Sequence, residues 1–338
     1  YGSATAVFDN RNELPESARL ALEGHLAAAR DRMEKEFAFC NEKGIRILTW
    51  DKPDYPKRLL HTPEPPLALF YKGRAQLNAK RAISVVGTRK ISEYGKSVCQ
   101  NICREIKALL PDCLVVSGLA YGVDIHAHRA CLENSLPTVG VLAHGLDRIY
   151  PTLHLQTARC MTEQAGGLLT EYVTGTNPDK GNFVRRNRIV AGITDATIVV
   201  ESAERGGSLI TARLAQMYGR KVLAVPGRIY DPHSAGCNHL IRTGEAQMLT
   251  SVQDLLSAMD WQSTSAKKEE PSLFPEMDPN RTPLERGILS ALQERDEWDK
   301  NELARHLNEK VADISTAAFG LEMDGLLVQM GGNRIRRP

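Results

Sequence analysis

The sequence predicts an α/β protein whose main domain is a doubly wound, mostly parallel sheet, flanked by a helical N-terminal segment and a small C-terminal domain. Three observations carry this prediction. Between residues 81 and 260, short apolar runs alternate with helix-length amphipathic stretches, the pattern of a parallel sheet covered on both faces. The apolar runs are rich in β-branched residues and continuous rather than alternating, as strands buried on both faces require. A polar, Pro-rich stretch from Gln262 to Pro283 then separates this block from a last segment with its own apolar pattern.

In chain order, residues 1–45 read as a helical segment. A run containing Leu14, Leu20, Leu22, Leu26 and Met33 opens at Asn12 or Glu13, continues to Phe39 and is ended by Gly44. Residues 46–80 read as a connector, with Pro53, Pro56, Pro63, Pro65 and Pro66 around one apolar run at 67–71. Within 81–260, strands are predicted at 82–86, 114–116, 138–143, 167–170, 196–200 and 221–225. Helices fill the gaps at 94–110, 124–133, 153–165, 186–193 and 208–218. A linker over 261–282 leads to the C-terminal domain, 283–338. There, three short helices (284–294, 300–307 and 311–324) precede a hairpin at 326–329 and 334–336 around Gly331-Gly332-Asn333, which suggests a winged helix.

Hydrophobic residues make up 42% and charged residues 25%, ordinary for a globular protein. The formal net charge of +2 is small, but its distribution is uneven. From Lys80 to Leu256 there are 20 Lys/Arg against 15 Asp/Glu, and from Arg281 to Pro338 there are 9 against 10. The basic surplus thus lies in the middle of the chain, where a polyanion is best placed to bind. Seven cysteines, odd in number and without paired C-x-x-C spacing, read as buried thiols of a reducing compartment. No apolar run approaches the ~20 residues of a membrane span, and no signal peptide is visible, so the expected location is cytoplasmic.

The candidate binding residues lie where the predicted strands end. Strand 82–86 runs into Val85-Val86-Gly87-Thr88-Arg89, and the next helix cannot start before about Ser92. Open α/β sheets bind ligands at this carboxyl edge, where backbone N–H groups favour phosphate. Gly87 permits close backbone approach and Arg89 offers a bidentate fork, although a turn alone also asks for Gly87. Strand 114–116 ends in Ser117-Gly118-Leu119-Ala120-Tyr121-Gly122-Val123-Asp124, with Asp124 placed to cap the next helix. His126 and His128, two residues apart, point to different helix faces and do not make a metal site. No G-x-G-x-x-G is present, so a nicotinamide cofactor is not expected, nor any other.

The segment Gly181-Asn182-Phe183-Val184-Arg185-Arg186-Asn187-Arg188 places three arginines and an aromatic at an expected loop-to-helix junction. Arginines suit phosphates, and Phe183 offers a face for a base, worth ~1–3 kcal/mol when stacked. Arg185, Arg186 and Arg188 cannot share one helix face, so at least one is structural; a solvated basic helix start with Phe183 in the core is the competing reading. A last turn, Glu204-Arg205-Gly206-Gly207-Ser208, leads into a helix that Ser208 can cap, and it lacks the elbow of a Ser hydrolase. Four loops on one edge thus supply small residues and arginines without an acid–base pair, a metal set or a nucleophile. That combination holds a polyanion without transforming it.

These segments, in this order, resemble the DNA-processing protein A (DprA, or Smf) family. The likeness runs through Val85-Val86-Gly87-Thr88-Arg89, Ser117-Gly118-Leu119-Ala120-Tyr121-Gly122-Val123-Asp124, Leu142-Ala143-His144-Gly145-Leu146-Asp147 and Tyr150-Pro151. It continues through Asn182-Phe183-Val184-Arg185-Arg186-Asn187-Arg188, Gly206-Gly207-Ser208-Leu209-Ile210-Thr211-Ala212 and Val225-Pro226-Gly227. The resemblance implies an extended Rossmann fold that binds single-stranded DNA without catalysis, forms a homodimer and helps to load RecA during natural transformation. The family's motif positions match Gly87, Arg89, Ser117, Gly118, Phe183, Arg186 and Asn187; together with Thr88, Arg185, Arg188, Gly206, Gly207 and Ser208 from the same loops, these are the expected DNA-binding residues. The resemblance also reads 1–8 as the end of a helical SAM-like or helix-hairpin-helix module most of which is missing. The C-terminal segment resembles a winged helix, but its recognition helix carries Asp313, Glu322 and Asp324 and no basic residue, which favours a protein contact over groove reading. The alternative is a nucleotide-hydrolysing enzyme of the lysine-decarboxylase-like Rossmann superfamily. Its P-G-G-x-G-T-x-x-E turn corresponds here to Arg205-Gly206-Gly207-Ser208-Leu209-Ile210-Thr211, without the Glu.

Overall fold

The computed structural model of the chain describes residues 12, 16–262, 281–324, 326–331 and 333–336. Chain contacts divide it into two units, Tyr1–Ser265 and Ala266–Pro338. The expected linker lies mostly in 263–280, and the expected remnant of an N-terminal module in 1–8; both fall outside the described residues.

The first unit begins with α1 (Glu16–Lys43), which Gly44 ends at a positive φ of 61°. β1 (Arg46–Thr49), α2 (Lys57–Leu60) and β2 (Ala68–Gly73) follow. The expected connector is therefore part of the sheet: β1 pairs antiparallel with β2, and β2 antiparallel with β6 (Gly167–Thr170). The prolines bound these strands instead of excluding them, because they fall in the turns between Thr49 and Ala68.

The remaining strands are β3 (Ala82–Val86), β4 (Leu114–Ser117), β5 (Thr138–Val141), β7 (Ala196–Val199), β8 (Lys221–Ala224) and β9 (Gln247–Met248). Together with β6 they run parallel, and the full order is β1-β2-β6-β5-β4-β3-β7-β8-β9. The six expected strands all appear. The two-residue β9 was too short to leave a periodic signal. Winding runs outward from β3 to β6 on one side and from β7 to β9 on the other, so the order reverses between β3 and β7. Their carboxyl ends form the crevice that such folds offer to ligands.

α3 (Glu93–Leu109), α4 (Val123–Glu133) and α9 (Val252–Met259) cover one face. α6 (Lys180–Gly192), α7 (Gly207–Met217) and α8 (Ala235–Arg242) cover the other, and α5 (Leu155–Glu163) lies against β6. β3 shows the division: Ile83 and Val85 face the first layer, Ala82 and Val86 the second. Ser84, on the second face, satisfies its buried hydroxyl with Thr197 at 2.7 Å. Cys237, Leu240, Leu249, Val252 and Leu255 complete these cores.

The second unit holds α10 (Pro283–Glu294), β10 (Glu297–Asp299), α11 (Lys300–Leu307), α12 (Val311–Met323), β11 (Val328–Met330) and β12 (Arg334–Arg336). β12 pairs antiparallel with both β10 and β11. Pro283 sits in the first turn of α10, and Thr282 with Glu285 forms a reciprocal cap. Ile288, Leu292, Leu303, Ile314, Leu321 and Ile335 make a separate core.

Candidate nucleic-acid interface

The carboxyl edge of β3, β4 and β7 and the first turns of α6 and α7 enclose a cavity of about 280 Å³. Gly87, Thr88, Arg89, Gly118, Phe183, Arg186, Asn187, Gly206, Gly207 and Ser208 line it. Ten of the thirteen expected residues, drawn from the loops after β3 and β4, the turn into α7 and the helix α6, therefore meet in one place. Ser117, Arg185 and Arg188 do not line it. Ser117 is fully buried and donates to the Val85 carbonyl at 2.6 Å, stitching β4 to β3. Arg188 pairs with Glu171 and donates to the Glu64 carbonyl at 2.8 Å, which ties α6 to the segment before β2. Arg185 is exposed outside the lining. Three arginines within one helical turn separate onto three directions, as helical geometry demands.

Phe183 and the arginines do not sit at a loop-to-helix junction. α6 starts earlier than expected, at Lys180, because Asp179 caps it by accepting from the Asn182 N–H at 2.8 Å. Phe183 is half-buried, and Arg89 lies over its ring, 5.0 Å from the centroid. Arg89 is exposed, and its guanidinium has no hydrogen-bond partner among the described residues, so its five donors face solvent. The Asn187 amide is likewise unpartnered among the described residues and lines the cavity.

Arg186 plays a different part. Only 4% exposed, it donates from Nη1 to the carbonyls of Gly118 and Val141, while its buried Nε has no partner among the described residues. Gly118 is needed for this: a Cβ there would stand 2.6 Å from Arg186 Cζ. Burial draws the guanidinium down from the usual arginine range, and the Asp124 carboxylate opposes that shift. Burial likewise pushes Asp124 up, against the pull of Arg186 and backbone N–H groups. The two arginines of the cavity thus differ in kind, Arg89 being exposed above it and Arg186 built into its floor.

Two expected helix caps are replaced. Asp124 does not cap α4, whose N-cap is Gly122 at φ 77°; its carboxylate accepts from Gly118 N at 3.1 Å and Ala120 N at 3.3 Å, bracing the β4–α4 loop. Ser208 lies inside α7, behind the N-cap Gly206, and donates to Ser202 Oγ at 2.9 Å. The sequence reading also missed Glu201. This 1%-exposed carboxylate accepts from the N–H of Ser92 at 2.9 Å and from its hydroxyl, while its carbonyl accepts from Thr88 N at 2.7 Å. It fixes both ends of the β3–α3 loop. Its only trace in the sequence is an acid directly after an apolar strand.

His128 is fully buried against Thr138, and the described residues contain no cluster of His, Cys, Asp and Glu able to hold a metal. No helix among them is long and apolar enough to cross a membrane.

The family model for DNA recombination-mediator protein A matches residues 46–260, starting at β1 and ending with α9. DNA processing protein DprA of Bacillus subtilis is 37% identical over 71% of this chain and 80% of its own length. Protein Smf of Escherichia coli is 30% identical over 92% of this chain and 82% of its own. Among solved structures, DNA processing protein A of Streptococcus pneumoniae superposes with a TM-score of 0.61 at 35% identity, over 67% of this chain and 78% of that one. DNA processing protein A of Helicobacter pylori, solved for its single-stranded DNA binding mode, gives 0.57 at 30% identity over 64% and 98%. With its parallel sheet, its carboxyl-edge cavity and these matches agreeing, the chain belongs to the DNA recombination-mediator protein A family.

Proposed function

We propose that this cavity binds single-stranded DNA without chemical turnover and that the chain, as a cytoplasmic homodimer, delivers the strand to RecA during natural transformation. One observation carries the binding step. An exposed Arg89, without a hydrogen-bond partner among the described residues, stands over the half-buried ring of Phe183 at the mouth of a cavity whose floor is a second arginine. A cation for phosphate beside an aromatic face for a base is what sequence-tolerant strand binding requires. The Helicobacter relative's single-stranded DNA binding supports the same reading. Asp124, the one carboxylate among the described lining residues, braces the β4–α4 loop through two backbone amides on Oδ2. We read the C-terminal unit as a winged helix that contacts protein, since α12 exposes Phe319 and carries no basic residue.

The test is fluorescence anisotropy with single- and double-stranded oligonucleotides across a salt series. Tight binding of the single strand, falling steeply with salt, is expected. Absent or salt-insensitive binding refutes the reading, and free base released from nucleoside monophosphates refutes the non-catalytic part. Faster RecA nucleation on a single strand in the presence of the chain checks the delivery step.

A further inference from the structure

We propose that Tyr150 is a second base-stacking residue, so that the site engages two neighbouring bases, one on Phe183 and the next on Tyr150. The inference rests on the single-stranded DNA reading and deepens it. Tyr150 does not line the cavity; it lies beside it, 46% exposed, with its ring centroid 5.9 Å from that of Phe183 and the planes at 53°. Rings this close leave no room for a base between them. The two rings instead lie side by side, with Arg89 over that of Phe183, and offer neighbouring aromatic surface to neighbouring bases. The Tyr150 hydroxyl has no partner among the described residues, so no polar contact among them accounts for the ring's position.

The loop beneath the ring is held rigidly, which lowers the entropy a strand must overcome to use it. The Tyr150 N–H donates to Nε2 of the buried His144 at 3.2 Å, and the His144 carbonyl accepts from Thr170 Oγ1 at 2.9 Å. The loop is also packed closely at Gly145, where a Cβ would meet the Val173 carbonyl at 2.5 Å. The neighbouring Arg148 is held by Asp147 at 2.8 Å and Asn177 at 2.6 Å, so this part of the surface offers an aromatic face more than a free cation. Phosphate attraction thus centres on Arg89, and base contact extends away from it.

The experiment compares parent, Tyr150→Phe, Tyr150→Leu, Tyr150→Ala and Phe183→Ala on oligothymidylate and on strands with a single abasic position moved stepwise along them. Each variant's thermal unfolding is recorded, and Tyr150→Leu keeps an apolar contact with Phe183 should the alanine variant prove unstable. Tyr150→Phe is expected to bind like the parent, and Tyr150→Leu and Tyr150→Ala roughly five- to a hundredfold more weakly. The parent is expected to lose affinity at two adjacent abasic positions, and Tyr150→Leu at only one of them. Unchanged affinity in Tyr150→Leu, or an equal loss on intact and abasic strands, overturns the proposal. If Phe183→Ala alone weakens binding, the site remains and only Tyr150's part in it falls. A parent protein that binds no single strand overturns both.

Discussion

Arg186 donates from Nη1 to the carbonyl of Gly118, 2.6 Å away and 68 residues earlier in the chain. This contact joins the β4–α4 loop to α6 on the opposite face and sets the floor of the cavity. A methyl group at Gly118 would meet the guanidinium head-on. Gly118→Ala is therefore expected to destabilise the fold by about 1–3 kcal/mol, the usual range for overpacking, and to weaken strand binding at least tenfold. Urea denaturation and anisotropy on the same preparation check both. Parent-like binding would show that the arginine's placement is irrelevant to the site.

The two arginines should separate in experiment. Arg89→Ala removes an exposed cation, so stability is expected to stay within about 0.5 kcal/mol while affinity falls. Losing one phosphate contact should flatten the slope of log K against log salt by roughly 0.7. Arg186→Ala removes buried hydrogen bonds from a charged donor, and a stability loss of about 2–3 kcal/mol is expected beside any loss of binding. Equal stability of the two variants would contradict the difference in burial.

Glu201→Ala is expected to cost about 2 kcal/mol, since it leaves the Ser92 N–H and the first turn of α3 without their buried carboxylate. Strand affinity should fall as well, because the Thr88–Ser92 loop that presents Arg89 loses an anchor. Glu201→Gln, which keeps an acceptor, should recover part of both. Denaturation midpoints with matched binding curves decide this.

Acid should destabilise the protein through its buried histidines. The Thr138 hydroxyl donates to the Val115 carbonyl at 3.0 Å, so His128 Nδ1 must carry the proton shared with it at 2.7 Å. Nε2 has no partner among the described residues, and burial draws the imidazole from 6.5 down to about 3, aided by the charges of His154 and Arg186. A folded value below the unfolded one means that the unfolded chain binds the extra proton. The His128 contribution is therefore fully present above about pH 6.5 and lost progressively as pH falls towards 3. His144 and His154 are shifted in the same direction, again chiefly by burial. Urea midpoints at pH 7.5, 6 and 5 should decline, and His128→Asn should reduce the slope. Identical slopes would remove His128 from the account.

Much of the fold was legible in the chain, and for a local reason. Continuous apolar runs such as Ala82–Val86 and Ala196–Val199 can only be strands covered on both faces, and the glycines that follow them mark the sheet's carboxyl edge. This local pattern reaches Gly87, Thr88, Arg89, Gly118, Gly206, Gly207 and Ser208, while Phe183, Arg186 and Asn187 stand out through the arginine cluster. It failed at residues 46–80 because prolines in the turns masked two strands too short to show a period. It also failed at the start of α6, where the Asp179 cap competes with the more conspicuous arginine cluster.

By itself, then, the sequence determined the winding of the sheet, the edge that carries the site and the charge gathered there, since all of these follow from local periodicity and composition. Only the tertiary structure decided what each charged side chain does: Arg89 open to a ligand, Arg186 at the floor, Arg188 paired with Glu171, Asp124 and Glu201 bracing loops. The physical reason is distance along the chain. A buried charge is defined by the partners that compensate it, and for Arg186, Arg188 and Glu201 those partners lie 17 to 124 residues away.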